Sequence, residues 1–121
     1  SANYLDKVEI EIHQNLPEFL SKINTEKIYL VSKFSEVRYD KNDYSSTEND
    51  QYFIFGKEST GLPENFLRKF QSQTIRIPQN DNKVQSLNVS NAVAIVIYEV
   101  MRQQSFDGQD IVKTYPLDKL K

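Results

Sequence analysis

Residues 51–70 read QYFIFGKESTGLPENFLRKF, and the order of signals in this stretch points to an α/β fold. Gln51 to Phe55 is a compact apolar run, consistent with a buried strand. Gly56 ends that run. Gly61 comes just before Pro63, which opens a helix through about Phe70, with Phe66, Leu67 and Phe70 at helical spacing. The chain has only three Gly, so two of them in one turn is informative. Glycine permits positive φ and lets a ligand approach the backbone closely. Two readings stand side by side here: a plain strand-to-helix turn with a capping Ser or Thr, and a ligand-binding turn. A phosphate-binding loop is excluded by order, because G-x-x-x-x-G-K-[ST] needs its Lys after the second Gly and Lys57 follows the first.

Outward from this stretch the same grammar repeats. Upstream, Lys27 to Ser32 (KIYLVS) predicts a buried strand, and Val8 to Ile12 (VEIEI) alternates like a half-buried one. Between these two, Asn15 can cap a short helix with Pro17 in its first turn and Phe19, Leu20 and Ile23 facing inward. Tyr39 to Gln51 (YDKNDYSSTENDQ) is a polar surface loop between two strands. Downstream, Thr74 to Ile77 (TIRI) is a short strand stopped by Pro78, and Gln79 to Gln85 is a loop. A long helix runs from about Val89 to Gln104, apolar nearly all round, which predicts burial on two sides, by its own sheet and by a partner subunit. Within it, Glu99 and Arg102 are spaced for an i,i+3 ion pair and carry no expected chemistry. The alternation of strands and helices predicts a mostly parallel sheet with flanking helices, in one domain over 1–121. Ligands in such sheets sit beyond the carboxyl ends of the strands, here after Leu30, Phe55 and Ile77.

Composition narrows the chemistry. The 121 residues are 38% hydrophobic and 26% charged, enough for one modest core. With no Cys there is no disulfide, thiolate nucleophile or thiolate metal site, and the single His13 excludes a multi-imidazole site. His13 reads as a surface residue. The longest apolar run, Ala92 to Tyr98, is far short of the roughly 20 residues a membrane span needs. No secretory signal is visible. A net charge of −2 argues against a broadly basic nucleic-acid binder but leaves room for a local patch. Candidates for such a patch are Lys33, Lys57, Arg68, Lys69, Arg76 and Lys83.

A second segment stands out at the mouth of the long helix, Ser86-Leu87-Asn88-Val89-Ser90-Asn91. Ser and Asn are good helix caps. Four polar residues in six exceed the needs of one cap, and free N–H groups at a helix start can also hold a ligand.

These blocks together resemble the SPOUT, or trefoil-knot, RNA methyltransferases. The matching residues are FGKESTGLP at Phe55 to Pro63, IRIP at Ile75 to Pro78, and SLNVSNAVAIVIYEVMRQ at Ser86 to Gln103, with weaker likeness in ANYLDK at Ala2 to Lys7 and KIYLVSK at Lys27 to Lys33. The branch most similar is the TrmL-like one, which methylates the ribose 2′-hydroxyl of the tRNA wobble nucleotide. The resemblance implies a C-terminal trefoil knot, a homodimer formed through the 89–104 helix, and a cytoplasmic enzyme using S-adenosylmethionine and RNA, with no metal and no membrane. By matched position, the cofactor would be held by Leu30, Gly56, Ile77 and Ser86, with Leu30, Ile77 and Leu87 as the apolar walls of its pocket. Glu58, Ser86 and Asn88 would form the polar cluster at the reacting ribose.

Two departures from the pattern are visible. An N-T-G-N-I-x-R-type segment, whose Arg is assigned to activating the hydroxyl, has no counterpart here, so the chain reads as an N-terminally truncated piece. Gln85 also stands where the family usually carries Arg. The alternatives are a non-catalytic dimeric RNA-binding module of the same fold, and a ribosomal RNA methyltransferase.

Overall fold

Three short strands, β1 (Ile28–Val31), β2 (Tyr52–Phe55) and β3 (Thr74–Ile75), pair in parallel in the order β2-β1-β3. They belong to a computed structural model that describes residues 8–57, 60–82 and 87–112. The register pairs Val31 with Phe55 on one side and with Ile75 on the other, so all three strands end level with one another. Three segments therefore leave the same carboxyl edge, beginning at Ser32, Gly56 and Arg76. Beyond β3 the sheet gains one more rung: Arg38 bridges Arg76, with the Arg76 N–H donating to Val37 O at 2.7 Å and the Tyr39 N–H to Arg76 O at 2.8 Å.

The side-chain period of two assigns each strand residue to one of two cores. Ile28 and Leu30 face helices α1 (Leu16–Leu20) and α2 (Glu64–Lys69), packing with Leu20, Phe70, Phe19 and Phe66. Tyr29 and Val31, with Phe53 and Phe55, face helix α3 (Val89–Gln103), where Ile75, Ile77, Ala92 and Val96 are buried. The sheet is the middle of three layers. Ile28, Leu30, Ile75 and Val96 are essentially sealed from solvent, each contributing on the order of 1.5–3 kcal/mol of hydrophobic stabilisation.

The helix starts follow their caps. Asn15 Oδ1 accepts the Glu18 N–H at 3.1 Å, with Pro17 in the first turn of α1. Pro63 begins α2 without a side-chain cap. Asn88 Oδ1 accepts from the N–H groups of Ser90 and Asn91 at 2.8 and 3.4 Å at the start of α3. The other end of α3 closes through Ser105 and Phe106, both at positive φ, with the Phe106 N–H reaching back to Met101 O at 2.8 Å.

Two expectations change. Val8 to Ile12 is not a strand; Ile10 and Ile12 are 50% and 93% exposed. Alternation describes a face, but a strand also needs a neighbour for its N–H and C=O groups, and no described residue pairs with this segment. The Thr74 to Ile77 strand is shorter than expected, ending at Ile75 with only the Arg76 bridge beyond it. Residues 39–51 lie within the longer connection between β1 and β2, which starts at Ser32, and Tyr44 among them is fully buried rather than at the surface. Its ring meets Tyr29 and Phe53 edge-on at 5.1 and 5.3 Å, and its hydroxyl donates to Tyr39 O.

Candidate functional site

The residues singled out after strands divide by face and by edge. Gly56 directly follows β2, Ile77 lies two positions beyond β3, and Leu87 and Asn88 lead into α3. Ile77 and Leu87 pack in the same core on the α3 side of the sheet. Leu30 does not join them. Its side chain is sealed on the opposite face with Leu20, Ile28 and Phe70, so it cannot form an apolar wall with Ile77 and Leu87. The alternation within IYLV already places Leu30 with Ile28 rather than with Val31; only its backbone can reach the α3 side. Glu58 and Ser86 lie outside the described residues, as do Gln85 and Lys83.

Gly56 has a structural reason to be glycine that sequence alone did not reveal. A Cβ there would collide with the Gly61 carbonyl carbon and the Leu62 nitrogen, and would stand 2.7 Å from Gly61 O. The segment folds back on itself, with the Gly61 N–H donating to Lys57 O at 2.7 Å and Gly61 itself at φ 68°. The space beside Gly56 is filled by the chain's own backbone.

The cations also divide. Arg76 donates to the Lys33 carbonyl and to both Asp81 oxygens at 2.9 and 3.0 Å, tying the segment after β1 to the segment after β3. Arg38 pairs with Asp40, whose carboxyl is held below the usual aspartate range chiefly by that guanidinium. Lys33 and Lys57 lie at the carboxyl edge and are in no ion pair among the described residues. Arg68 and Lys69 occupy the last turn of α2, which returns toward the start of β3. The five described cations of that set therefore do not form one cluster.

Among the described residues, no hydrogen bond engages the backbone N–H or C=O of Ile77, although this residue is 9% exposed. Buried backbone groups are nearly always paired. Ile77 and Leu87 thus offer apolar side chains together with backbone polarity, which suits a flat heterocycle better than a charged group. Asn88 commits its carbonyl oxygen to the helix cap, leaving its NH₂ for a ligand. A separate apolar concavity of about 310 Å³ lies toward the far end of α3, lined by Tyr98, Met101, Phe106 and Ile111 among others. Its signal in sequence was the apolar character of α3 beyond what one sheet face can cover. No helix among the described residues is long and apolar enough to cross a membrane.

The sequence model of the SpoU rRNA methylase family matches residues 1–98. A Lactococcus lactis protein named for tRNA (cytidine(34)-2′-O)-methyltransferase activity is 48% identical over 98% of this chain and 71% of its own length. A Bacillus anthracis crystal structure, described as that of an RNA methyltransferase, superposes with a TM-score of 0.73 at 40% identity, covering 82% of this chain and 62% of that one. A structure concerned with 2′-OH methylation of C/U34 on tRNA superposes at 0.65 with 30% identity, covering 78% of this chain and 56% of that one.

Proposed function

Because this chain belongs to the SpoU rRNA methylase family, we propose that it forms a single domain of an S-adenosylmethionine-dependent enzyme that methylates the ribose 2′-hydroxyl of the tRNA wobble nucleotide. The observation that carries the reading is one of register. The family match coincides with a parallel sheet whose three strands end level, and the matched motifs follow two of those ends. The relatives named or solved for work on nucleotide 34 favour tRNA over ribosomal RNA. A trefoil knot in the C-terminal part and a cytoplasmic location belong to the same proposal.

S-adenosylmethionine, when bound, supplies an electrophilic methyl carbon. Ile77 and Leu87 would pack against its apolar parts, and the Ile77 backbone groups, unpaired among the described residues, would read a heterocycle edge. Leu30 contributes through its backbone. Gly56 acts by letting the turn close, which holds the Gly61–Leu62 backbone beside the strand end. Asn88 fixes the entry of α3 and keeps two donors for the ribose. By the matched motifs, Glu58 and Ser86 would belong to the same polar cluster, with Glu58 orienting its partners. Holding the accepting oxygen in line with the methyl group would contribute to the rate by orientation.

The reading includes a homodimer through α3. Tyr98 is 51% exposed on a helix whose opposite face is buried, and it borders the apolar concavity. The test is calorimetric titration of S-adenosylhomocysteine into the chain, alone and with an Arg-motif segment joined ahead of Ser1, followed by methyl transfer to a tRNA transcript. Saturable binding and a methyl group mapped to nucleotide 34 are expected. Binding by neither form, or methylation confined to ribosomal RNA, would sink the reading.

A further inference from the structure

We propose that Phe34 is a stacking platform for a base of the bound RNA, with Lys33 beside it meeting the sugar–phosphate backbone. The inference rests on the RNA-methylating role proposed above and adds to it the residue that receives a nucleotide. Phe34 is 76% exposed, in the segment that leaves β1 at the carboxyl edge. A single exposed aromatic is ordinary; the frame that presents this one is not. The Phe34 N–H donates to Ser32 Oγ at 3.2 Å. Ser35 is buried, its N–H donates to Ser32 O at 3.3 Å, and its hydroxyl accepts the Val37 N–H at 3.1 Å. Arg76, itself anchored on Asp81, donates to the Lys33 carbonyl. The backbone on both sides of the ring is thus held in place while the ring stays in solvent.

The chemistry around the ring selects the occupant. The Lys33 ammonium lies 5.4 Å from the ring centroid. Ser32, Lys33, Ser35 and Glu36 flank the ring in sequence, and Val37, 36% exposed, is the one exposed aliphatic residue in the same segment, so the ring's neighbours along the chain are mainly polar. An aromatic face with an adjacent cation matches a nucleotide, which offers a π-face and a phosphate together. Position agrees as well. Val31 pairs with Phe55, so the Phe34 segment leaves the sheet next to Gly56. A base stacked there belongs to a nucleotide beside the one being modified.

The test uses the chain and an anticodon stem-loop RNA carrying 2-aminopurine in its loop. Binding by the parent protein should quench the fluorophore. Phe34→Ala should weaken binding about tenfold, the usual scale for one lost base stack, and abolish the quench, while Phe34→Tyr keeps both. Lys33→Ala should keep the quench and lower the salt dependence by about one phosphate contact. Titration of S-adenosylhomocysteine into Phe34→Ala should match the parent, which separates the inference from a folding defect. If Phe34→Ala binds and quenches like the parent, this inference falls and the methyltransferase reading stands. If the parent binds no RNA, both fall. If Phe34→Ala instead changes only the self-association of the chain, the ring is a subunit contact and the inference is overturned.

Discussion

Gly56 and Gly61 need glycine for different reasons, and the difference is measurable. Gly61 has φ 68° with nothing within 4 Å of where a Cβ would stand. Gly61→Ala should therefore cost only the left-handed penalty, about 1–2 kcal/mol. At Gly56 the added carbon would meet backbone rather than a pliable side chain. Gly56→Ala must displace the turn and should cost roughly 3 kcal/mol or more, the upper end for overpacking. Urea unfolding of the two variants checks this, and equal losses would disprove the account.

At the scale of elements, α3 holds the 39–51 connection as well as the sheet. Gln103 Oε1 accepts the Tyr44 N–H at 2.7 Å, and its Nε2 donates to Asn42 O and Glu99 Oε2 at 3.0 and 2.8 Å. Gln104 and Gln51 both donate to Tyr44 O, at 2.9 and 3.1 Å. Glu99 completes the set with its expected pairing to Arg102, at 2.8 and 2.9 Å. The Arg102 guanidinium, and then Gln103, hold the Glu99 carboxyl below its ordinary value of 4.5 against the opposing effect of burial. A depressed pKa in the folded state gives stability that is present above the unfolded value and lost as pH falls through the folded one. Glu99→Gln should therefore flatten the acid side of the stability profile below about pH 4.5 while leaving its slope near neutrality unchanged. An unchanged acid limb in urea titrations would refute this.

Much of the architecture was legible because local signals agreed with tertiary demand. Asn15 and Asn88 cap as their spacing suggested, and the IYLV and YFIF runs became paired parallel strands. Tyr44 was not legible. An aromatic inside YDKNDYSSTENDQ looks solvated, and its burial comes from contacts distant in sequence, with the rings of Tyr29 and Phe53 and with Gln103. Val8 to Ile12 misled because period alone cannot supply a pairing partner. At the candidate site, Ile77 and Leu87 share the core on the α3 side of the sheet. Position along the chain misplaced the Leu30 side chain because membership of a strand end was weighed without its face.

For the whole molecule, the proposed dimer places Tyr98 and its concavity between two copies. Tyr98→Asp would introduce a charge into that surface and should shift the mass in light scattering toward one copy, with helical circular dichroism retained. A parent chain that is already monomeric, or a variant mass equal to a dimeric parent, would disprove the interface.

The level ends of the strands also carry a kinetic consequence. Parallel neighbours cannot be joined by a tight hairpin, so β1 must find β2 across a connection of roughly 20 residues, and β3 lies farther along still. Every strand pairing here is a distant event in sequence, and its closure entropy is spent before the sheet repays it. Tyr44 falls inside the first of these connections and docks on Tyr29 and Phe53 from within it. Its docking splits the β1–β2 closure into two smaller ones, with a foothold supplied by a single buried ring.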